Sequence, residues 1–399
     1  MKKLSFIVVM LLFTFSGFSQ NETQSKTVSS NTQFALKLYK QLADYRGDIF
    51  ISPYSISSAM VMTYAGARGE TEKQMQEVMG FGAQETVHSD FCNLNKQLYN
   101  SRSENVKLSI ANNVWVQKDL WLKNEFVQLT DSFYGANVKV ADFKNDIVGA
   151  CKDINEWVEQ ETEKMIKELL KPTQLTPTTR LVLVNAIYFK AEWKTKFDQS
   201  RTSKMKFVID AINTQETDFM FQTSQNPYYQ TDELQALSLA YNDNFSMVIL
   251  LPTDKLGLSA FEQTLTEEKL NNILSGLQLS RTDIEVAIPK FEIKYSAELA
   301  EKLKNLGLTA PFGDFADFSG LTDKEELMID EVIHQAVIKV SEEGTEAAGA
   351  TAVVIREKSI SIPIKFVADH PFMFLIRENS TGSILFLGRY AGPAIRNRG

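Results

Sequence analysis

The spacing of apolar residues divides the chain into a helical first part and a stranded second part. In TQFALKLYKQLADY (32–45) apolar positions recur every three or four residues. SPYSISSAMVMTYAGA (52–67) continues that period behind a Ser-Pro pair suited to a helix N-terminus. INEWVEQETEKMIKELL (154–170) reads as one amphipathic helix with Ile154, Trp157, Val158, Met165, Leu169 and Leu170 on its apolar face. From Arg180 the pattern changes to strand-like runs: RLVLVNAIYF, DELQALSLAY, FSMVILLP, DIEVAIPKFEIKY, AVIKV, FMFLIRE and GSILFLGRY. The last two flank ENSTG, which predicts a hairpin. A helical N-terminal third followed mainly by strands predicts an α+β fold with a large, mostly antiparallel sheet. Neither an internal repeat nor a Pro/Gly/Ser linker marks a boundary, so one large domain is expected.

Two stretches stand outside this pattern. The first is MKKLSFIVVMLLFTFSGFSQ, with Lys2 and Lys3, an apolar run from Leu4 to Phe15, and Gly17 and Ser19 around Phe18. It reads as a secretory signal peptide over 1–19, cleaved after Ser19, leaving a mature domain at 20–399. The apolar run is too short to span a bilayer comfortably, and no Cys stands at the cleavage point to carry a lipid. An exported chain, extracellular or periplasmic, is the expectation.

The second is SEEGTEAAGATAVVIREKSISIP, from Ser341 to Pro363, which begins acidic, becomes almost wholly Ala, Gly and Thr, and ends with basic residues among aliphatics. It has no apolar stripe for a packed helix. Glu346, Ala347 and Ala348 favour helix by propensity, whereas Gly344, Gly349 and the β-branched Thr351, Val353, Val354 and Ile355 count against it as the sole stable state. As a strand, the segment would present Thr345, Ala347, Gly349, Thr351 and Val353 on one face, all small or β-branched. It reads as a loop able to become a strand.

Composition narrows the function classes. With 44% hydrophobic and 23% charged residues among 399, the chain can bury a large core. The formal charge is −8, and loss of 1–19, which carries two Lys and no acid, takes it to −10. That balance disfavours nucleic-acid or anionic-membrane partners. Cys92 and Cys151 lack metal-ligand spacing; a bridge is permitted in an oxidising compartment, but free, partly buried thiols are expected. GxSxG, HExxH, GxxxxGK[ST] and GxGxxG are all absent from the sequence. The three histidines have plain structural readings: His88 in polar TVHSD, His334 in a strand-like run needing a buried partner, and His370 before Pro371. An unrelated secreted hydrolase is therefore the weakest of the readings considered.

EEGTEAAGATA, Glu342 to Ala352, resembles the hinge of the reactive-centre loop of inhibitory serpins. FISPYSISSAMVMTYAGARGETEKQM, INEWVEQETEKMIKELL with TRLVLVNAIYFKAEWKTKF, PKFEIKYSAELAEKLKNLGLTAPF leading into ADFSGL, and ADHPFMFLIRENSTGSILFLGRYAGP resemble further blocks of that family, in order along nearly the whole mature chain. The resemblance implies a single domain of three β-sheets and eight or nine helices with an exposed reactive-centre loop at about 342–363. It implies a monomeric suicide inhibitor without cofactor, whose partner is a target protease held as a covalent acyl-enzyme complex while the cleaved loop inserts into the main sheet.

Carried onto this sequence, the hinge is Glu342, Gly344, Thr345, Glu346, Ala347, Ala348, Gly349, Ala350 and Thr351. Gly344, Thr345 and the run from Ala347 through Ala352, free of bulk and charge, match inhibitory members; non-inhibitory ones often carry charged or bulky residues at these positions. The family's usual count of about fourteen residues from Gly344 reaches Lys358, so the reactive bond is Lys358–Ser359 and suits a trypsin-like protease. Arg356 is second for the same class, Val354 or Ile355 would suit an elastase-like enzyme, and a cysteine protease of basic preference is a further alternative. Ser52, Ser55, Asn185 and His334 match the polar cluster beneath the opening of the main sheet, and Trp193 matches the tryptophan where the loop enters. A non-inhibitory binding or carrier protein of the same family is the alternative function. Ala191 stands where the family often has Gly, and the few basic residues between Gly82 and Asn105 do not support heparin-type activation.

Overall fold

The computed structural model describes residues 25–43, 47–101, 106–135, 138–279, 281–324, 326–345 and 363–394. Its helices are α1 (25–42), α2 (Pro53–Tyr64), α3 (Gly69–Met79), α4 (Gln84–Asn100), α5 (Asn124–Tyr134), α6 (Ile147–Glu161), α7 (Leu258–Thr264), α8 (Glu267–Leu279) and α9 (Ala300–Asn305). Helix α2 begins as its Ser-Pro start predicts: Ser52 Oγ accepts the Ser55 N–H, and Pro53 occupies the first turn where no donor is needed. All of α2 is buried, as befits a helix apolar on most sides.

The strands are β1 (Ile49–Ile51), β2 (Val106–Gln117), β3 (Lys139–Ala141), β4 (Leu181–Glu192), β5 (Ser203–Val208), β6 (Thr214–Gln230), β7 (Leu234–Ala240), β8 (Phe245–Pro252), β9 (Arg281–Pro289), β10 (Phe291–Glu298), β11 (Glu331–Val340), β12 (Gly344–Thr345), β13 (Ile364–Val367), β14 (Phe372–Glu378) and β15 (Ile384–Tyr390). The main sheet runs β10-β11-β12-β4-β2-β3, with β11 and β4 also paired directly. The second runs β1-β15-β14-β8-β7-β6-β9-β13, with β5 also on β6. The described residues thus form two sheets, not the expected three. Strand β6 pairs with β9 and β5 along most of its length and with β7 at Tyr228–Gln230, which joins two sheets into one.

Three apolar clusters pack against the main sheet among the described residues, one of them gathering Val114, Val116, Leu181, Leu183 and Val332 at its lower end with helices α1 to α3; the other two frame the part where β11 and β4 meet β12. One lies between the sheets and includes Phe50, Phe189, Trp193, Tyr241, Phe374 and Phe386. The other lies under α6, where Cys151, Ile154 and Val158 cover Val182, Val184, Ile333 and Val337.

Several expectations need correcting. The N-terminal third is not all helix, because it contains β1 and the whole of the twelve-residue β2. The helix expected over 154–170 stops at Glu161. Glu163 and Lys164 take left-handed φ values of 51° and 67°, and Asn155 Oδ1 accepts the N–H groups of Leu169 and Leu170. Ile166, Leu169 and Leu170 are therefore buried from an irregular segment. DIEVAIPKFEIKY divides at Lys290 into strands of different sheets. The β14–β15 hairpin forms where ENSTG predicts it, with Gly382 at φ 78°. Cys92 and Cys151 are free and buried.

Candidate functional site

β11 and β4 run parallel and in register from Glu331–Val182 to Val337–Tyr188, and above that they part. The chain leaves β11, turns through Ser341 to Glu343, and returns into the gap as β12, antiparallel to both neighbours. Thr345 lies opposite Val340 on one side and Ala191 on the other.

Only glycine suits position 344. Its φ is +151°, and a Cβ there would lie 2.1 Å from Ala191 O and 2.7 Å from Glu192 Cα, both backbone atoms of β4. Thr345 is fully buried, its hydroxyl 2.7 Å from Tyr241 Oη. Burial pushes the Tyr241 phenol far up, so it stays protonated and able to donate. Tyr241 stacks on Trp193 with centroids 4.3 Å apart. Trp193 Nε1 donates to Ser341 O at 2.9 Å and its backbone N–H to Glu343 O at 3.0 Å, while Phe197 N–H donates to Glu342 O at 2.9 Å.

Both turn carboxylates are paired. Lys290 Nζ is 2.8 Å from Glu342 Oε2, and Thr202 Oγ1 donates to Glu342 Oε1 at 2.7 Å. Burial alone would push the Glu342 carboxyl up, but Lys290 and then Thr202 outweigh it and hold it below its ordinary value. Lys196 Nζ is 2.7 Å from Glu343 Oε2 and 2.9 Å from Glu192 Oε2, and Gln199 Nε2 donates to Glu343 Oε1 at 3.1 Å. The Glu343 hydrogen bond raises the Lys196 ammonium above its usual range.

A second group lies six residues down the same strands, about 20 Å away. Register aligns Asn112 of β2, Asn185 of β4 and His334 of β11 in one row across the sheet. Helix α2 starts against that row. Ser52 N–H donates to His334 Nε2 at 3.1 Å, so the neutral ring carries its proton on Nδ1 and donates it to Asn185 Oδ1. Asn185 Nδ2 donates to Ser55 Oγ and to Asn112 Oδ1, each at 2.6 Å. Ser52 Oγ donates to Leu385 O of β15 at 2.6 Å, tying the row to the second sheet. Burial pushes the His334 ring down to about 3, which keeps it neutral.

Of the residues singled out from sequence, the structure thus gathers Ser52, Ser55, Asn185 and His334 in one cluster and Trp193, Glu342, Gly344 and Thr345 in another. Glu346, Ala347, Ala348, Gly349, Ala350, Thr351, Arg356, Lys358 and Ser359, and with them most of the expected loop, lie outside the described residues. Sequence reasoning missed Asn112, Tyr241, Lys290, Lys196 and Thr202. A polar residue inside a strand-like run was the only signal for Asn112; the others are ordinary in local context. His88, read as part of a polar stretch, is buried, with Nδ1 2.7 Å from Tyr134 Oη.

A family model described as serpin (serine protease inhibitor) matches residues 29–393. Human leukocyte elastase inhibitor is 39% identical over 375 residues, spanning 92% of this chain and 99% of that protein. Among solved structures, human thyroxine-binding globulin superposes with a TM-score of 0.85 at 31% identity, covering 94% of this chain and all of the other. A serpin of the insect Tenebrio molitor, described as highly specific, superposes with a TM-score of 0.82 at 30% identity over 93% of this chain and 98% of its own.

Proposed function

Because this chain belongs to the serpin family, the serine protease inhibitors, whose role is inhibitory and not catalytic, we propose that it is an exported suicide inhibitor that traps a protease by inserting its cleaved loop into the main sheet. The target's nucleophile attacks the loop's scissile carbonyl, the new amino terminus leaves with a proton, and an acyl-enzyme forms. Before water attacks the ester, the loop continues from Thr345 down between β11 and β4.

The observation that carries this reading is the seat of Gly344–Thr345, already paired in the parted end of the sheet and continued by residues small enough to enter after it. Insertion breaks one interface, β11 with β4, and makes two. The net gain is roughly one interface of hydrogen bonds, on the order of 5–10 kcal/mol at about 0.5–1.5 kcal/mol each. That amount rivals the whole stability of a typical domain and supplies the drive for a kinetically stored state.

Leukocyte elastase inhibitor among the relatives favours an elastase-like target, for which Val354 or Ile355 would be the specificity residue. The count from Gly344 favours a trypsin-like target at Lys358–Ser359. Mixing the protein separately with elastase and trypsin, with denaturing electrophoresis and sequencing of the new N-terminus, decides between them. A covalent complex with a new N-terminus at Ser359 selects the trypsin-like reading; one at Ile355 or Arg356 selects the elastase-like reading. Nicking without a complex, by these and other serine and cysteine proteases alike, would sink the inhibitory proposal. Thr345→Arg is expected to turn inhibitor into substrate, since its side chain would enter the buried site beside Tyr241.

The second reading, a non-inhibitory carrier, draws on the likeness to thyroxine-binding globulin and on a recess of about 440 Å³ between α8 and the β6–β7 turn, lined in part by Tyr229, Leu234, Lys269 and Asn272. The same electrophoresis separates the two, since a carrier forms no covalent complex.

A further inference from the structure

We propose that Asp48, Glu262 and Arg389 form a proton-operated joint, in which two carboxylates share one guanidinium and Asp48 takes up a proton in mildly acidic surroundings. Its working does not depend on loop insertion.

The joint gathers parts of the chain that lie far apart in sequence. Arg389 of β15 is buried and is the register partner of Ile49 in β1. Its Nη1 is 3.1 and 3.0 Å from the two oxygens of buried Glu262 in α7. Its Nε donates to Gly47 O at 3.0 Å, which brings the guanidinium against the turn that carries half-buried Asp48. Tyr39 of α1 donates its phenol proton to Glu262 Oε1 at 2.5 Å. Asp48 Oδ1 accepts the Ala391 N–H at 2.7 Å, so this carboxyl holds the chain just past the end of β15.

The charges in this joint do not balance. Among the described residues, the titratable and charged groups around Asp48 are Tyr39 from α1, Glu262 from α7, Tyr295 from β10, and Arg389 and Tyr390 from β15. Burial pushes all three phenols up, so they stay neutral. That leaves the Arg389 cation facing two carboxylates. Glu262 receives the guanidinium directly and the Tyr39 hydroxyl besides, whereas Asp48 receives one backbone N–H. The proton that restores balance therefore goes to Asp48 first. Burial pushes the Asp48 carboxyl up to about 6, against the pull of the Ala391 N–H and then of Arg389.

The direction of the pH effect follows from the two ionisation ranges of Asp48. In the unfolded chain it ionises near 3.8, and in the folded chain near 6. Between these values the folded chain keeps a proton that the unfolded chain has lost, so stability is fully present below 3.8 and declines as pH rises through about 6. Above that, an unbalanced negative charge sits where α1, α7, β10 and β15 meet. The joint is firmest in mild acid and loosens near neutrality.

The test compares wild type with Asp48→Asn and Glu262→Gln. Denaturation midpoints are read across pH, together with the carboxyl signals of protein labelled with ¹³C-aspartate, in which Asp48→Asn identifies the Asp48 signal. Asp48→Asn keeps the shape of the side chain without its charge. Relative to wild type its folding equilibrium is expected to gain about tenfold to a hundredfold between about pH 4 and about pH 7. Glu262→Gln leaves the guanidinium to Asp48 alone, so the Asp48 signal should titrate lower than in wild type by about one pH unit or more. A wild-type Asp48 signal that titrates near the ordinary 3.8 overturns the proposal, whether or not either variant folds. So does an Asp48 titration unchanged in folded Glu262→Gln. An Asp48→Asn gain or loss of equal size at both ends of the pH range overturns it as well, since a merely structural contact would behave in that way.

Discussion

Replacing Gly344 by alanine adds one methyl group at the point where the returning chain enters the main sheet. That methyl would stand 2.1 Å from Ala191 O and 2.7 Å from Glu192 Cα. Neither atom ends a flexible side chain, so no rotamer change relieves the overlap; β12 must move away from β4. If the chain stays in place, the φ of +151° alone costs about 1–3 kcal/mol for a residue with a Cβ, before the overlap is counted. If β12 leaves, it forfeits its pairing with Val340, Ala191 and Glu192 and the Thr345–Tyr241 hydrogen bond. Those are some four bonds, or about 2–6 kcal/mol net. The chain adopts the cheaper course, so a loss of about 2–4 kcal/mol is expected. Chemical denaturation monitored by tryptophan fluorescence measures the loss. Hydrogen exchange at the Trp193 and Phe197 amides, whose acceptors are Glu343 O and Glu342 O, reports whether the turn has been expelled. A variant within about 0.5 kcal/mol of wild type, with these amides equally protected, would refute the steric reasoning.

Burial pushes His334 down to about 3 and His88 to about 4, so the unfolded chain takes up protons that the folded rings refuse. Each ring therefore subtracts about 1.4 kcal/mol of stability per pH unit as pH falls from roughly 6.5 toward its folded value, and NMR titration should show neither ring titrating above pH 5; a midpoint near 6.5 for either would contradict its burial. Glu331 behaves oppositely: burial, then Glu298 and Asp330, push its carboxyl up to about 7, so its ionisation opposes folding as pH rises through that value. Glu331→Gln is expected to stabilise by about 1 kcal/mol above pH 7, allowing for partial exposure, and by almost nothing at pH 5; an equal gain at both would rule out a charge effect. Arg389 Nη1 bridges both oxygens of buried Glu262 at 3.1 and 3.0 Å. Arg389→Met should cost about 3–5 kcal/mol by stranding that carboxylate, and the Arg389→Met, Glu262→Met double variant should recover much of it; a double variant no better than the single would deny the coupling.

What could be read from sequence was what depends on near neighbours. The Ser52-Pro53 start of α2, the alternation in β14 and β15 and the turn between them are all settled within a few residues. What escaped depends on distant partners or on inverted polarity. Gln222, Ser224 and Asn226 fill one buried row of β6 and hydrogen-bond among themselves, so the strand's buried face is polar and its pattern is hidden. Because β6 also serves both halves of its sheet, a count of strand runs could not reveal that two sheets were one. Helix α6 ends early because Asn155 prefers the backbone of Leu169 and Leu170, while the apolar spacing through 170 still matches a helix. Lys290 meets Glu342 across 52 residues with no local mark on either.

The two paired carboxylates of the turn, taken together with the register, have a role beyond holding the turn. Lys290 stands at the start of β10 and Lys196 just beyond the end of β4, so Glu342 and Glu343 tie the turn to both sides of the gap in the sheet. This pins Thr345, and under the proposed insertion a pinned first residue would set the face of each residue that follows it into the sheet. A slip of one position would put Glu346, the next residue in the sequence, in the place of Thr345 beside Tyr241 and Trp193, where a carboxylate would have no partner. Glu342 and Glu343 sit on the turn, where they can specify register without having to be desolvated between strands.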